Sequence, residues 1–356
     1  MSTHPVPSAL APAASVRRTV LPSARGAVSR LLLDALRQPP GTPLALPRLD
    51  ASRELLLDDD VQLALYLCYE LHYGALDGVD DRWEWDPGLL AFRAVLERAF
   101  EASVAELVPP RAAVAPEHVA ATLRALVAAH DGPPLSRWVE TQATAEQVRE
   151  LLIQRSAYQL KEADPHSWAI ARLAGPPKAA LVEIQSDEYG GGRADRVHAV
   201  LFAKAMAALG LDPAYGAYLD ALPGITLANV NLMSLLGLHR RLRGAIVGHL
   251  AAFEMTSSLP NRRYANGLRR LGWGADATDF FDEHVEADAV HEQIAAHDLG
   301  GGLATAEPEL ADDVVWGAAA LLELEALWAR HLLAAWQRGA SSLRAANGAA
   351  RRRSAR

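Results

Sequence analysis

Residues 280–299 read FFDEHVEADAVHEQIAAHDL, and the reading of this stretch decides both the fold and the chemistry. His284, Asp288 and His291 stand at i, i+4 and i+7. A helix advancing ~100° per residue carries them at roughly 0°, 40° and 340°, a single narrow stripe. Val285, Ala289, Ile294 and Ala295 give the same helix apolar packing, so the stripe is expected to meet a neighbouring element. Two imidazoles and a carboxylate turned inward are costly unless paired or bound to a metal. Neutral nitrogen beside anionic oxygen suits iron, manganese or zinc. The competing reading is a solvated amphipathic helix, which leaves two histidines on one stripe without a reason.

The rest of the chain sets limits around that helix. At 356 residues, half of them hydrophobic and 22% charged, the composition is that of a globular protein with room for two domains or one large one. The formal charge of -8 argues against a nucleic-acid partner, and the one dense basic run is the 351–356 tail. A lone cysteine, Cys68, excludes an intramolecular disulfide framework and fits a reducing cytoplasm. No stretch of about 18 apolar residues suggests a membrane span. In residues 1–18 the basic residues follow the weak apolar run, the wrong order for a secretory signal.

Almost every periodic segment is helical. Residues 1–25 are expected to be a disordered lead and 26–134 a smaller helical domain, with the Asp131–Pro134 run DGPP as the boundary. Residues 135–340 are expected to form an all-α bundle, followed by a basic tail over 341–356. Within the bundle the pattern predicts helices over 144–162, over 178–188 and 194–209 (one long helix or two, divided by Gly190-Gly191-Gly192), over 226–258 (stopped by Pro260) and over 310–337. No βαβ alternation, Walker loop, dinucleotide fingerprint or GxSxG elbow occurs, so phosphate-cradling and nucleophilic chemistry are excluded as leading readings.

A stripe with three donors needs partners from facing helices. Glu254 is a carboxylate between Phe253 and Met255 in an apolar helix and should not lie buried unpaired. The segment 187–198 offers Asp187, Glu188, Asp195 and His198 around Gly190-Gly191-Gly192, and 158–166 offers Glu162 and His166. Glu188 and His198 are about 80° out of phase on an unbroken helix, and the glycines supply a break that can bring them together. Asp195 and His198 at i, i+3 are the alternative pair.

Glu162, Glu188, His198, Glu254 and the His284-x3-Asp288-x2-His291 stripe together resemble the heme-oxygenase-like diiron oxidase and oxygenase family, also described as iron-containing redox enzymes. The resemblance covers about residues 140–338 and implies a heme-oxygenase-like helical bundle preceded by a smaller, dimer-forming helical region. It implies Glu188, His198, Glu254, His284, Asp288 and His291 as ligands to two Fe(II)/Fe(III) ions, with Glu254 the candidate bridge and O2 the co-substrate. The spacing is similar to the N-oxygenating branch, in which Glu162 falls where an additional early carboxylate acts. Asp187, Asp195 and Glu286 are then the candidates to orient the imidazoles.

The expectation is a cytoplasmic, homodimeric oxygenase acting on an amine or guanidine of an amino-acid-derived small molecule, fed by an external electron donor. Desaturation or C–C cleavage of an amino or fatty acid is the alternative reaction. A metal- or heme-binding bundle without turnover is the alternative class. Arg240 and Arg243 are candidate anchors for a substrate carboxylate, against ordinary surface pairing.

Overall fold

The computed structural model describes residues 18–50 and 53–345, with the side chains of residues 18 and 286–290 left outside that description. The chain runs through α1 (Ala27–Leu36), α2 (Asp59–Glu70), α3 (Pro87–Leu107), α4 (Val119–Ala129), α5 (Leu135–Thr141), α6 (Ala145–Gln159) and α7 (Asp164–Ser167). It continues with α8 (Gly175–Glu188), α9 (His198–Ala208), α10 (Gly224–Leu238), α11 (Arg243–Arg270), α12 (Ala275–Gln293), α13 (Gly302–Ala306) and α14 (Ala311–Gln337). Short side chains start several of these where the sequence predicts a start. Asp58 accepts from the Asp60 and Val61 amides at the head of α2, and Asp86 accepts from Leu89 ahead of Pro87 in α3. Thr144 and Gln147 form a reciprocal capping box on α6.

The all-α expectation holds. The one sheet among the described residues is a two-residue parallel pairing of Arg18–Thr19 with Ala75–Leu76. One hydrophobic cluster runs from Val28 to Trp336, so the helices before residue 134 pack into the same core as those after it. The long helices α11 and α14 touch backbone to backbone. A Cβ on Gly248 would lie 1.7 Å from the Val314 carbonyl oxygen, and one on Gly317 would lie 1.9 Å from that of Ala245. α12 lies antiparallel to α11, with Tyr264 against Phe281 near one end and Glu254 against His291 further along. Among the described residues no helix is long and apolar enough to cross a membrane.

Three sequence expectations need correction. The helix expected over 226–258 is two, broken at His239–Leu242, where a 3-10 turn over Arg240–Leu242 changes the chain direction. Pro260 does not stop α11, which continues to Arg270 because packing against α5, α12 and α14 outweighs one lost backbone hydrogen bond. The stripe helix closes at Gln293 into a π-helical segment, Ile294–Gly301, where two glycines relax the winding. The chain ends also contribute more than expected. Thr19 is buried, and Arg344 pairs with Asp59 at 2.6 Å, whereas residues 1–17 and 346–356 lie outside the described residues.

Candidate metal centre

Four helices and one turn converge on a buried polar cluster. Glu188 ends α8, and the chain then passes through Gly190, Gly191 and Gly192, all at positive φ (74°, 58° and 83°). A Cβ at Gly190 would lie 2.7 Å from the Val197 amide nitrogen, so only glycine lets the chain double back this tightly. The result sets His198, the first residue of α9, directly beside Glu188, with Nδ1 2.8 Å from Oε2. Asp195, the alternative partner, is exposed. Glu162 sits in the turn after α6, next to Ala163, whose φ of 74° is strained for a residue with a side chain. That turn is pinned by the Gln185 amide, which donates to the Ala163 carbonyl at 2.7 Å.

α12 supplies the imidazoles on the other side. His284 donates from Nδ1 to the Phe280 carbonyl at 2.7 Å, which fixes its tautomer and leaves the Nε2 lone pair facing Glu162 Oε1, 3.6 Å away. His291 donates from Nε2 to Asp187 at 2.9 Å and turns Nδ1 toward Glu254 Oε2 at 3.3 Å. Of the three candidates to orient an imidazole, Asp187 does so. Asp195 faces water, and Glu286, like Asp288, has a side chain outside the described residues.

Potential ligand atoms fall into two groups, each within 4.8 Å: Glu162, Glu188, His198 and His284 in one, and Glu188, Glu254 and His291 in the other. Glu188 belongs to both. Glu254, the expected bridge, falls among the described residues in the second group, projecting from α11 toward His291. All six described side chains are buried. Both oxygens of Glu162, Oε2 of Glu188 and the Nδ1 atoms of His198 and His291 have no hydrogen-bond partner among the described residues. Glu188 and His198 meet at 2.8 Å as an ion pair, a separation at which both atoms are available to a shared cation.

The electrostatics carry the same message. Burial raises the Glu188 carboxyl, but the adjacent His198, His284 and His291 outweigh it and bring it down to about 2. Burial lowers His291, yet Glu254, Asp187 and Glu188 raise it to about 9. Glu188 likewise raises His198 against its burial. Without a cation these imidazoles hold protons between carboxylates, and a divalent ion would take that place. Three carboxylates and three imidazoles, all buried, are a donor set that fits iron.

Two cavities adjoin the cluster. A small one is bounded by Tyr158, His166, Glu188, Glu254 and His284. A larger one, about 250 Å³, runs past His284, Phe253, Phe280 and Phe281 to Arg155 and Glu325. His166, grouped with Glu162 in sequence, instead meets His249, Nε2 to Nδ1 at 3.1 Å, and burial lowers both. Arg243 pairs with Glu307 and Arg240 is exposed, and neither lines the two cavities beside the cluster. Glu70 is buried against Lys161 at 2.8 Å, and His72 meets Glu84.

Sequence reasoning passed over Arg155 and Glu325. The available signal was the spacing of Arg155, Gln159 and Glu162, which repeats the i, i+4, i+7 offsets of the metal stripe.

Comparison with known proteins adds a family match. The family model described as iron-containing redox enzyme matches residues 149–326, half of the chain. A CADD-like protein of unknown function from Nostoc punctiforme PCC 73102 is 19% identical, with 60% of this chain and 95% of that one covered and a TM-score of 0.49. A domain of unknown function with a heme oxygenase-like fold from Shewanella denitrificans OS217 is 17% identical, with 64% and 95% covered and a TM-score of 0.47. No curated protein sequence matches the chain.

Proposed function

This chain belongs to the iron-containing redox enzyme family, and from that premise we propose that it is an O2-dependent non-heme diiron oxygenase acting on an amino-acid-derived small molecule. The observation that carries the reading is the pair of buried ligand groups joined through Glu188, in which both oxygens of Glu162 and Oε2 of Glu188 have no hydrogen-bond partner among the described residues. Glu162, His198 and His284 would hold one iron, Glu254 and His291 the other, with Glu188 common to both and Asp288 a further ligand from the stripe. The bound iron pair would supply the reduction of O2 that no protein side chain can perform. Overall, one oxygen atom enters the substrate and the other leaves as water, with two electrons from an external donor and two protons.

The chain's own residues do the rest. Phe280 fixes the His284 tautomer and Asp187 that of His291, so both imidazoles present a lone pair inward. Phe253, Phe280 and Phe281 line the approach past His284 with apolar surface, which limits water at the reacting end. Glu162, beside the strained Ala163 and with neither oxygen hydrogen-bonded among the described residues, would be free to change its mode of ligation.

Oxygenation of an amine or guanidine nitrogen is the first reading, on the ligand spacing. The apolar wall beside His284 favours a second, oxidation at carbon by desaturation or C–C cleavage. The test is anaerobic loading of the full chain with Fe(II), followed by iron counting and O2 uptake. The expected result is two irons per chain and O2 consumption that accelerates with substrate. A Soret band from bound heme, or one structural ion without O2 uptake, would overturn the reading.

A further inference from the structure

The larger cavity has one charged feature, and the proposed activity does not yet use it. Arg155 and Glu325 line it as a bidentate pair, Nη1 to Oε1 at 2.8 Å and Nη2 to Oε2 at 2.7 Å. The guanidinium is backed by the Trp328 ring, 3.9 Å from Cζ to centroid, and Trp328 is itself buried. The Arg155 and Glu325 side chains keep 24% and 26% of their surface accessible, and the pair lines both the large cavity and a small second one bounded also by Trp328 and Phe253.

The bonding leaves capacity on both partners. End-on pairing uses one N–H of each Nη and one lone pair of each carboxylate oxygen. Tyr264, on the same wall, also lies against the guanidinium, and the N–H groups and lone pairs left over offer a donor edge and an acceptor edge side by side. Apart from the imidazoles of His130 and His284, the other polar groups on the cavity wall, among them Gln159, Ser257 and Asn261, carry no charge, and Gln159 Oε1 has no hydrogen-bond partner among the described residues. Arg155 and Glu325 offset one another's charge. A bare carboxylate or a bare ammonium would satisfy one edge and face its like charge on the other. An interior ion pair of this kind is poor evidence of a stabilising role, since apolar residues of equal volume usually serve as well.

The geometry points to Arg155 and Glu325 as the reader of a zwitterionic α-amino acid with an apolar or aromatic side chain, the ammonium on Glu325 and the carboxylate on Arg155. The same cavity runs from this pair to His284, Phe280 and Phe281, so a head group held on Arg155 and Glu325 leaves the side chain, not the α-amine, to enter the aromatic end beside His284. This inference rests on the oxygenase reading for its chemistry, but its binding claim stands without iron.

The test uses the iron-free full chain in titration calorimetry. The probes are L-phenylalanine and L-leucine, and for each the des-amino acid and the decarboxylated amine (3-phenylpropanoate and 2-phenylethylamine for the former). The expected result is that at least one amino acid binds about tenfold or more tighter than both of its analogues, the size of one lost charged hydrogen bond. Glu325→Gln should move the preference toward the carboxylate analogue, and Arg155→Gln toward the amine. A merely structural pair would not produce that opposite shift. Should a single variant fail to fold, the double variant Arg155→Met with Glu325→Leu keeps the packing and should bind all three probes alike. Equal binding of the analogues by the wild type, no binding of either amino acid, or a selectivity that the variants leave unchanged would overturn the assignment. Iron content and O2 uptake of the same preparation separate the two claims. Normal iron chemistry without head-group selectivity sinks only this inference, and selectivity without iron binding sinks only the oxygenase.

Discussion

Replacing Glu188 with glutamine tests the centre at its shared point, because this carboxylate is the one described residue common to both ligand groups. The change keeps shape and removes charge. Burial alone would raise the Glu188 carboxyl, but its imidazole neighbours hold it at about 2 against an ordinary 4.5. That displacement corresponds to roughly 3 kcal/mol of stabilisation of the ionised form at about 1.4 kcal/mol per unit. A carboxyl lowered in the folded state stabilises the protein above its unfolded value and loses that contribution as pH falls through the folded one. The iron-free Glu188→Gln variant should therefore unfold at lower denaturant than wild type at pH 7, and the gap should close from about pH 4.5 toward 2. Iron loading should suffer more. Glu162→Gln and Glu254→Gln each remove a donor from one group and should leave about one iron per chain. Glu188→Gln should weaken both sites, by ~100-fold or more given that even residues supporting a ligand are worth 10–100-fold. Urea unfolding against pH and iron counting after gel filtration read the two effects. Two irons retained by Glu188→Gln at wild-type affinity would refute the shared-carboxylate geometry.

Further outcomes follow from the same contacts. In the iron-free protein His291 is raised to about 9, so its pairing stabilises fully below about 6.5 and is lost as pH rises through 9. Iron must displace that proton, so calorimetry in buffers of different ionisation heat at pH 7 should record proton release, and none would contradict the assignment. Gly317→Ala drives a Cβ to within 1.9 Å of the Ala245 carbonyl and should cost about 2–3 kcal/mol in urea unfolding. Gly274→Ala, with open space around it, should be nearly neutral, and equal stability of the two variants would disprove the tight α11–α14 contact. Cys68 is fully buried and pushed up to about 12, so a thiol reagent at pH 8 should label it only after denaturation.

Much of this protein could be read before any coordinate was placed. Helix periodicity gave the all-α class, and the offsets of His284 and His291 put both on one helix face, which the structure turns toward Glu162 and Glu254. Glycines 190–192 announced a break, since three residues without side chains cannot prolong a helix at low cost. The lone Glu254 in an apolar helix flagged a buried charge in want of a partner.

Other features depended on contacts between residues far apart in the chain. Which carboxylate the two groups share was settled by the doubling back of α9 onto α8, which puts Glu188 rather than Asp195 against His198. Pro260 looked like a stop because propensity is local, whereas α11 persists through packing on three other helices. Arg155 and Glu325 stand 170 positions apart, and nothing in either neighbourhood reveals the other. The sequence by itself determined which side chains were chemically suited to hold metal, because donor type and helical spacing are properties of one segment. Only the tertiary structure decided how those donors are grouped and what chamber opens beside them, because both arise where separate helices meet.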